Sequence, residues 1–252
     1  TRRSSDLVGE LQIRPSWVHG SGSFHTENVL NLGFQFNPTT RVDYTQYFNT
    51  NLLTKEGSLP DSLGLVGDDG FLRGRFQRVW ENVEKDLFLD FETRLYVPTR
   101  PSRASAGFIA ASRNIFSLTK MVNSKLALIA QEIPIVYGYG QATANGKANP
   151  IFENRVYLIA SYDITSKLNF SFPLMLWATR HRSAPGAENH NAWSFFAGIW
   201  PELMYQVAPT TFVWLSYYSD NLVKADLSDV NFFGPSGGLT QGIGQFVFRQ
   251  TL

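Results

Sequence analysis

The chain has 252 residues, with 22 basic and 21 acidic side chains, a net charge of +1, no Cys, and 17% charged against 14% aromatic residues. The balanced charge gives no support for a nucleic-acid partner, which a basic excess usually marks. The lack of Cys excludes a disulfide scaffold and thiolate metal sites. No long apolar run of about 18 residues occurs, so no membrane-crossing helix is expected. The first residues hold no apolar export segment, as expected if a leader has been removed. No linker or low-complexity tract divides residues 1–252, and one domain is expected.

The dominant hydrophobic period is two, which reads as strands. The first strand sets Leu7, Gly9, Leu11, Ile13, Pro15 and Trp17 against Glu10, Gln12, Arg14 and Ser16. The second sets Leu30, Leu32, Phe34 and Phe36 against Val29, Asn31, Gly33 and Gln35. Arg41–Asn49 and Phe71–Glu81 follow. The cleanest alternation is Asp86–Val97, with Leu87, Leu89, Phe91, Thr93, Leu95 and Val97 on one face and Asp86, Phe88, Asp90, Glu92, Arg94 and Tyr96 on the other. Gly107–Thr119, Leu126–Tyr137, Glu153–Tyr162, Leu168–Thr179, Ala192–Val207, Thr211–Ser219 and Leu239–Leu252 bring the expected count to twelve. Their length of about 10–14 residues is near what a tilted strand needs to cross a bilayer. Short connections (Asn37–Thr40, Asn82–Lys85, Lys120–Lys125, Asp163–Lys167, Ala208–Thr210) alternate with long ones. In an antiparallel sheet this puts every tight turn, and both termini, at one end.

Alternation leaves open which face is inside. A soluble barrel holding an apolar ligand turns its apolar face inward; a transmembrane barrel turns it outward. Three features favour the second. Folding the Asn82–Lys85 turn sets Arg75 opposite Glu92, Gln77 opposite Asp90, and Arg73 opposite Arg94, so charges meet on one enclosed face. Trp17, Phe48, Trp80, Trp193 and Tyr205 fall near strand ends, as aromatic girdles at a lipid boundary do. The long loops lie on one side, the habit of such barrels. The expected fold is an all-β, antiparallel transmembrane barrel of about twelve strands, with membrane lipid as its first partner.

This pattern resembles bacterial outer-membrane β-barrel proteins of the porin-like class, over nearly the whole chain. Gly244 to Leu252 resembles their closing strand: Phe246, Phe248 and Leu252 keep the alternation, with Leu in place of the usual terminal Phe and Gln250 interrupting. The resemblance implies short turns in the periplasm, loops outside, and recognition of the last strand by the outer-membrane assembly machinery. Within the class the chain is similar to porin-like barrels of predatory Bdellovibrio-type bacteria, oligomers that enclose lipid, though no motif carries that likeness.

Regularity weakens in the second half. Ala127 to Val136, Phe170 to Trp177, Trp193 to Trp200 and Phe212 to Tyr218 are apolar on both faces. Either apolar side chains or an inward loop fill the lumen there, or the wall meets a partner subunit, as in a homo-oligomer. Pro134, Pro173 and Pro201 each remove a ladder donor, so bulges or strand ends are expected at these positions.

Glu10, Arg14, Asp43, Arg73, Arg75, Asp90, Glu92 and Arg94 form the dense polar constellation of the sequence. They read as a network bracing the wall, or as a pore lining that orients small polar solutes. Inward Phe88, Tyr96, Trp177 and Trp200 would narrow such a pore. His181-Arg182-Ser183 faintly resembles outer-membrane phospholipase A, which implies His181 as base for a Ser183 nucleophile; Ala184 and Pro185 follow where that family has Asn and Gly. Gly67-Asp68-Asp69-Gly70 is turn chemistry rather than a calcium loop, Asn169-Phe170-Ser171 is a chance acceptor triplet inside a strand, and Gly138-Tyr139-Gly140 lacks the helix a phosphate loop needs. No metal and no cofactor is expected. The function read from the sequence is a non-enzymatic, narrow channel or an oligomeric, lipid-associated envelope protein.

Overall fold

The computed structural model describes residues 6–18, 24–53, 65–67, 69–99, 101–219, 222 and 243–251. Its wall consists of β1 (Asp6–Val18), β2 (Phe24–Asn37), β3 (Thr40–Leu53), β4 (Phe71–Asn82), β5 (Leu87–Tyr96), β6 (Phe108–Met121), β7 (Leu126–Tyr139), β8 (Pro150–Asp163), β9 (Leu168–His181), a two-piece β10 (Trp193–Ile199 and Glu202–Ala208), β11 (Thr211–Tyr218) and β12 (Ile243–Thr251). Every neighbour is antiparallel. The circuit closes where β1 pairs with β12, and β8 pairs with both β7 and β9. Closure leaves no row of unpaired backbone groups at an edge.

Side chains follow the pleat. Outward Leu7, Leu95 and Leu215 are 72%, 48% and 58% exposed, whereas inward Glu10, Asp43 and Arg73 are 2%, 2% and 7% exposed. This is the reverse of a water-soluble protein, which rarely exposes large contiguous apolar patches. The inside-out assignment made from alternation therefore holds for these strands. Gly33 is needed where β2 and β3 meet at Asp43, because a Cβ there would lie 2.2 Å from the Val42 carbonyl oxygen.

The expected Arg75–Glu92 and Arg73–Arg94 pairs are in register, but Gln77 does not face Asp90. The ladder runs from Phe76–Phe91 to Trp80–Leu89, so residues 77–79 bulge opposite Asp90 alone. Arg78 takes a left-handed φ of 52°, and its backbone N–H donates to Asp90 Oδ1 at 2.7 Å. The two extra residues preserve parity, so Trp80 stays outward.

The prolines mark interruptions. Beside Pro134 the β6–β7 ladder skips Asn114 and Ile115 while keeping its register. Pro201 sits in the break of β10, which corrects the continuous strand expected over Ala192–Val207; opposite it, β9 changes partner from the Glu202–Ala208 piece to the Trp193–Ile199 piece around Pro173. The chain bridges the break through Trp200 N–H to the Pro173 carbonyl, 3.0 Å, and Tyr217 N–H to the Pro201 carbonyl, 3.0 Å. Asp86 is likewise not the start of a strand: with φ 46° it caps a short 3-10 turn over Val83–Lys85. At the long-loop end, a small hairpin (Thr143–Ala144 with Lys147–Ala148) turns on Asn145-Gly146, both at positive φ, the signature of a tight hairpin turn. A five-residue helix, α1 (Pro101–Ser105), lies between β5 and β6.

Candidate pore lining

The expected polar constellation divides into separate clusters along the inner face. At the β1–β12 seam, Glu10 accepts from Gln12 and from Asn31 Nδ2 (3.0 Å) and pairs with Arg249 (3.1 Å). Arg14 pairs with Glu27 at 3.3 Å. Asp43 holds two guanidiniums, Arg41 at 2.9 Å and Arg73 at 2.7 Å. Glu92 lies between Arg75, 3.3 Å away, and Arg94. Asp90 joins none of these, because its carboxylate is engaged by the bulge.

The inner wall also carries ions that sequence reading missed. Glu153 pairs with Arg155 and accepts from Tyr137 Oη (3.3 Å) and Thr179 Oγ1 (3.1 Å). Asp69 is buried and pairs with Arg103 of α1 at 2.8 Å. Asp69 lies in irregular backbone just before β4, and its ion pair is the part that the sequence reading of residues 67–70 did not reach; Asp68 lies outside the described residues.

Arg73, Arg94 and Arg113 are direct cross-strand partners on β4, β5 and β6. Like charges placed opposite one another repel. Asp43 offsets the first and Glu92 the second. Arg113 has no carboxylate partner among the described residues, and its Nε is buried without a hydrogen bond. Its parity with Ala111, Ile115 and Ser117 was the signal available in the sequence.

Two lumen cavities meet at this row. One of about 340 Å³ runs toward the short-turn end and includes Arg75, Glu92, Ser117 and Gln131. The other, about 400 Å³, lies toward the long-loop end with Glu27, Tyr47, Asp69, Tyr96, Arg103 and Arg155. Arg94 and Arg113 line both, so the two guanidiniums stand where one space gives way to the other. α1 adds Arg103 to the cavity at the long-loop end, on the ionic side of the wall.

The remaining wall is aromatic. Trp177 stacks on Phe196 (5.2 Å between centroids), with the Arg155 guanidinium over its ring at 5.6 Å. Trp200 meets Tyr218 edge-on at 5.7 Å, and Arg249 lies over Phe212 at 5.6 Å. Of the four residues expected to narrow the lumen, Tyr96 borders the upper cavity, Trp177 and Trp200 belong to this aromatic wall, and Phe88 lies under Arg78 at 5.2 Å. Trp17, Trp80, Trp193 and Tyr205 are exposed, and Phe48 is half-buried.

His181 does not address Ser183. Its Nδ1 is 3.0 Å from the Ala148 carbonyl and its Nε2 is 3.2 Å from Ser194 Oγ. Strand alternation explains this: Ser194 is brought to His181 by the β9–β10 pairing, whereas Ser183 continues into the loop. Asn191 is engaged by Arg180. Among the described residues, no group of three or more His, Cys, Asp and Glu is arranged to hold a metal ion.

No family model and no curated relative matches the chain. Solved structures do. An outer-membrane channel from Pseudomonas putida F1 superposes with a TM-score of 0.66 at 10% identity, over 100% of this chain and 97% of that one. The NanC porin superposes with a TM-score of 0.57 at 12% identity, over 96% and 98%. The chain has the fold of outer-membrane channel barrels. At this identity the likeness is one of fold, and the chemistry of the lumen rests on the residues above.

Proposed function

We propose that this protein is a narrow, non-enzymatic channel of the bacterial outer membrane that favours small anionic solutes. One observation carries the reading: Arg94 and Arg113 stand between two polar cavities, and Arg113 has no carboxylate partner among the described residues. A fixed positive charge at the junction of two polar spaces lowers the barrier for an anion and raises it for a cation. The Asp43, Glu92 and Glu153 pairs hold the surrounding arginines in place, so they brace the wall while Arg113 addresses the solute. Cavities of this size admit a metabolite, not a folded polypeptide.

The outward apolar band supports residence in lipid, where only helices and closed barrels leave no backbone group unpaired. Trp17, Phe48 and Trp193 near the long-loop end, and Trp80 and Tyr205 near the short-turn end, mark the two lipid boundaries. In this orientation the tight turns face the periplasm. The closing strand β12, with Phe246 and Phe248 outward, is the segment offered to the assembly machinery.

The test is ion selectivity in planar bilayers under a KCl gradient. The expected result is an anion-selective reversal potential that moves toward zero in Arg113→Gln. A cation-selective channel, a silent barrel, or a potential unchanged by Arg113→Gln would overturn the proposal.

A further inference from the structure

Lipid tails give no hydrogen bonds, so polar side chains on the outer wall of a membrane barrel are costly and seldom without purpose. Four such residues meet on adjacent strands of this wall. Thr93 (β5) and Asn114 (β6) are cross-strand partners, with Thr93 Oγ1 donating to Asn114 Oδ1 at 2.9 Å. Next to them, Asn154 Nδ2 (β8) donates to Glu132 Oε1 (β7) at 3.3 Å. All four alternate with inward Arg94, Arg113, Ile133 and Glu153, which places them outside. Glu132 is exposed and lies in register between Phe116 and Val156, within the apolar band.

These internal bonds leave the patch under-satisfied. Asn154 Oδ1 is buried with no partner. Glu132 has no cation beside it among the described residues, and each carboxylate or amide has further bonding capacity. The accessible spare capacity is divided: both N–H of the Asn114 amide are free on one side, and the exposed Glu132 carboxylate keeps acceptor capacity on the other. Apolar relief is divided in the same way. A ridge of rings, Phe76, Phe91 and Phe116 (5.9 and 5.1 Å apart), flanks the patch on the β4–β6 side. On the β8–β10 side lies an apolar groove of about 340 Å³ that includes Val156, Leu176, Ala178 and Ala197.

The geometry points to a second copy of this chain as the occupant of the β5–β8 outer face. A two-fold axis along the membrane normal between β6 and β7 sets the donor half of one copy against the acceptor half of the other, and ridge against groove. Such an isologous contact makes one surface complementary to itself. In membranes, polar groups and small residues are the usual means by which spanning elements associate. Lipid would satisfy the ridge and leave Glu132 unpaired. An unrelated partner would give no reason for donors and acceptors to be split about a line. The inference rests on the membrane reading above and adds the surface by which the barrel pairs.

The chain contains no Cys, so single thiols can report the contact in intact membranes. Phe116→Cys probes the patch, and Leu215→Cys probes the opposite wall. After treatment with a short bismaleimide, Phe116→Cys should give a band at twice the monomer mass and Leu215→Cys should not. Adding Glu132→Leu and Asn154→Leu to the Phe116→Cys chain should lower that band at least tenfold, with the heat-dependent gel shift of a folded barrel retained. Equal cross-linking at both sites, no dimer from Phe116→Cys, an adduct of another mass, or a dimer insensitive to the leucine pair would each overturn the inference. Recovery of the chain in the soluble fraction would instead overturn the membrane reading, and this inference with it.

Discussion

The wall from β3 to β8 and the wall from β9 to β12 enclose one lumen by different chemistry. The first is ionic: Asp43 and Glu92 each hold an arginine on the facing strand, Glu153 holds Arg155 on its own, and the lumen cavities lie against it. The second is aromatic, with Trp177 on Phe196 and Trp200 on Tyr218 packed across strands. Charged side chains hold space open because their remaining bonding capacity draws water. Rings close space because contact with one another replaces water. In the proposed channel the passage runs along the arginine side, with the rings as its backstop. The apolar second half is thus filled wall rather than a second pore.

Substitutions on the two sides should separate these roles. The largest effect is expected from Asp43→Ala, which leaves Arg41 and Arg73 buried without their shared carboxylate; breaking a buried pair in this way costs about 3–5 kcal/mol. Urea unfolding of detergent-folded protein checks it, and a loss below about 1 kcal/mol, in the range of surface pairs, would mean that the ionic side is wet enough to absorb the change. Met175→Ala, at a fully buried site on β9, is expected to cost about 2–5 kcal/mol through the cavity it leaves. A near-neutral result there would show that the second wall is not packed. Trp177→Ala should raise conductance with the reversal potential unchanged, the converse of Arg113→Gln; a change of selectivity would break the division between the walls. The smallest effect belongs to the loop pair Lys147–Glu188, 3.6 Å apart with both side chains exposed. Lys147→Ala should shift stability by no more than about 0.5 kcal/mol in the same urea series.

The alternation of Leu7 to Trp17, and of Leu87 to Val97, made the barrel and its outward apolar face legible, because a period of two survives any arrangement of neighbours. The Arg75–Glu92 pair was legible for a related reason: a tight turn fixes which residues face each other. Asp90 was misplaced because two extra residues at Gln77–Val79 leave no mark in composition. The inward face of Arg113 could be read from its parity, but its place beside Arg94, like the Asp69–Arg103 pair, spans a long connection that counting from a tight turn does not reach. His181 shows the same limit. Its sequence neighbour Ser183 drew attention, while the serine beside its ring comes from the adjoining strand.

The seam joins β1 to β12 through the Glu10–Arg249 pair and a 2.9 Å hydrogen bond from Gln245 to Ser16, residues 229 positions apart. The cylinder closes only when β12 meets β1. Contacts so distant along the chain form slowly, since the whole intervening length must be ordered first. Circular permutants that move the chain ends to the Asn123–Ser124 turn would make this join local, and should fold faster than the parent from the denatured state.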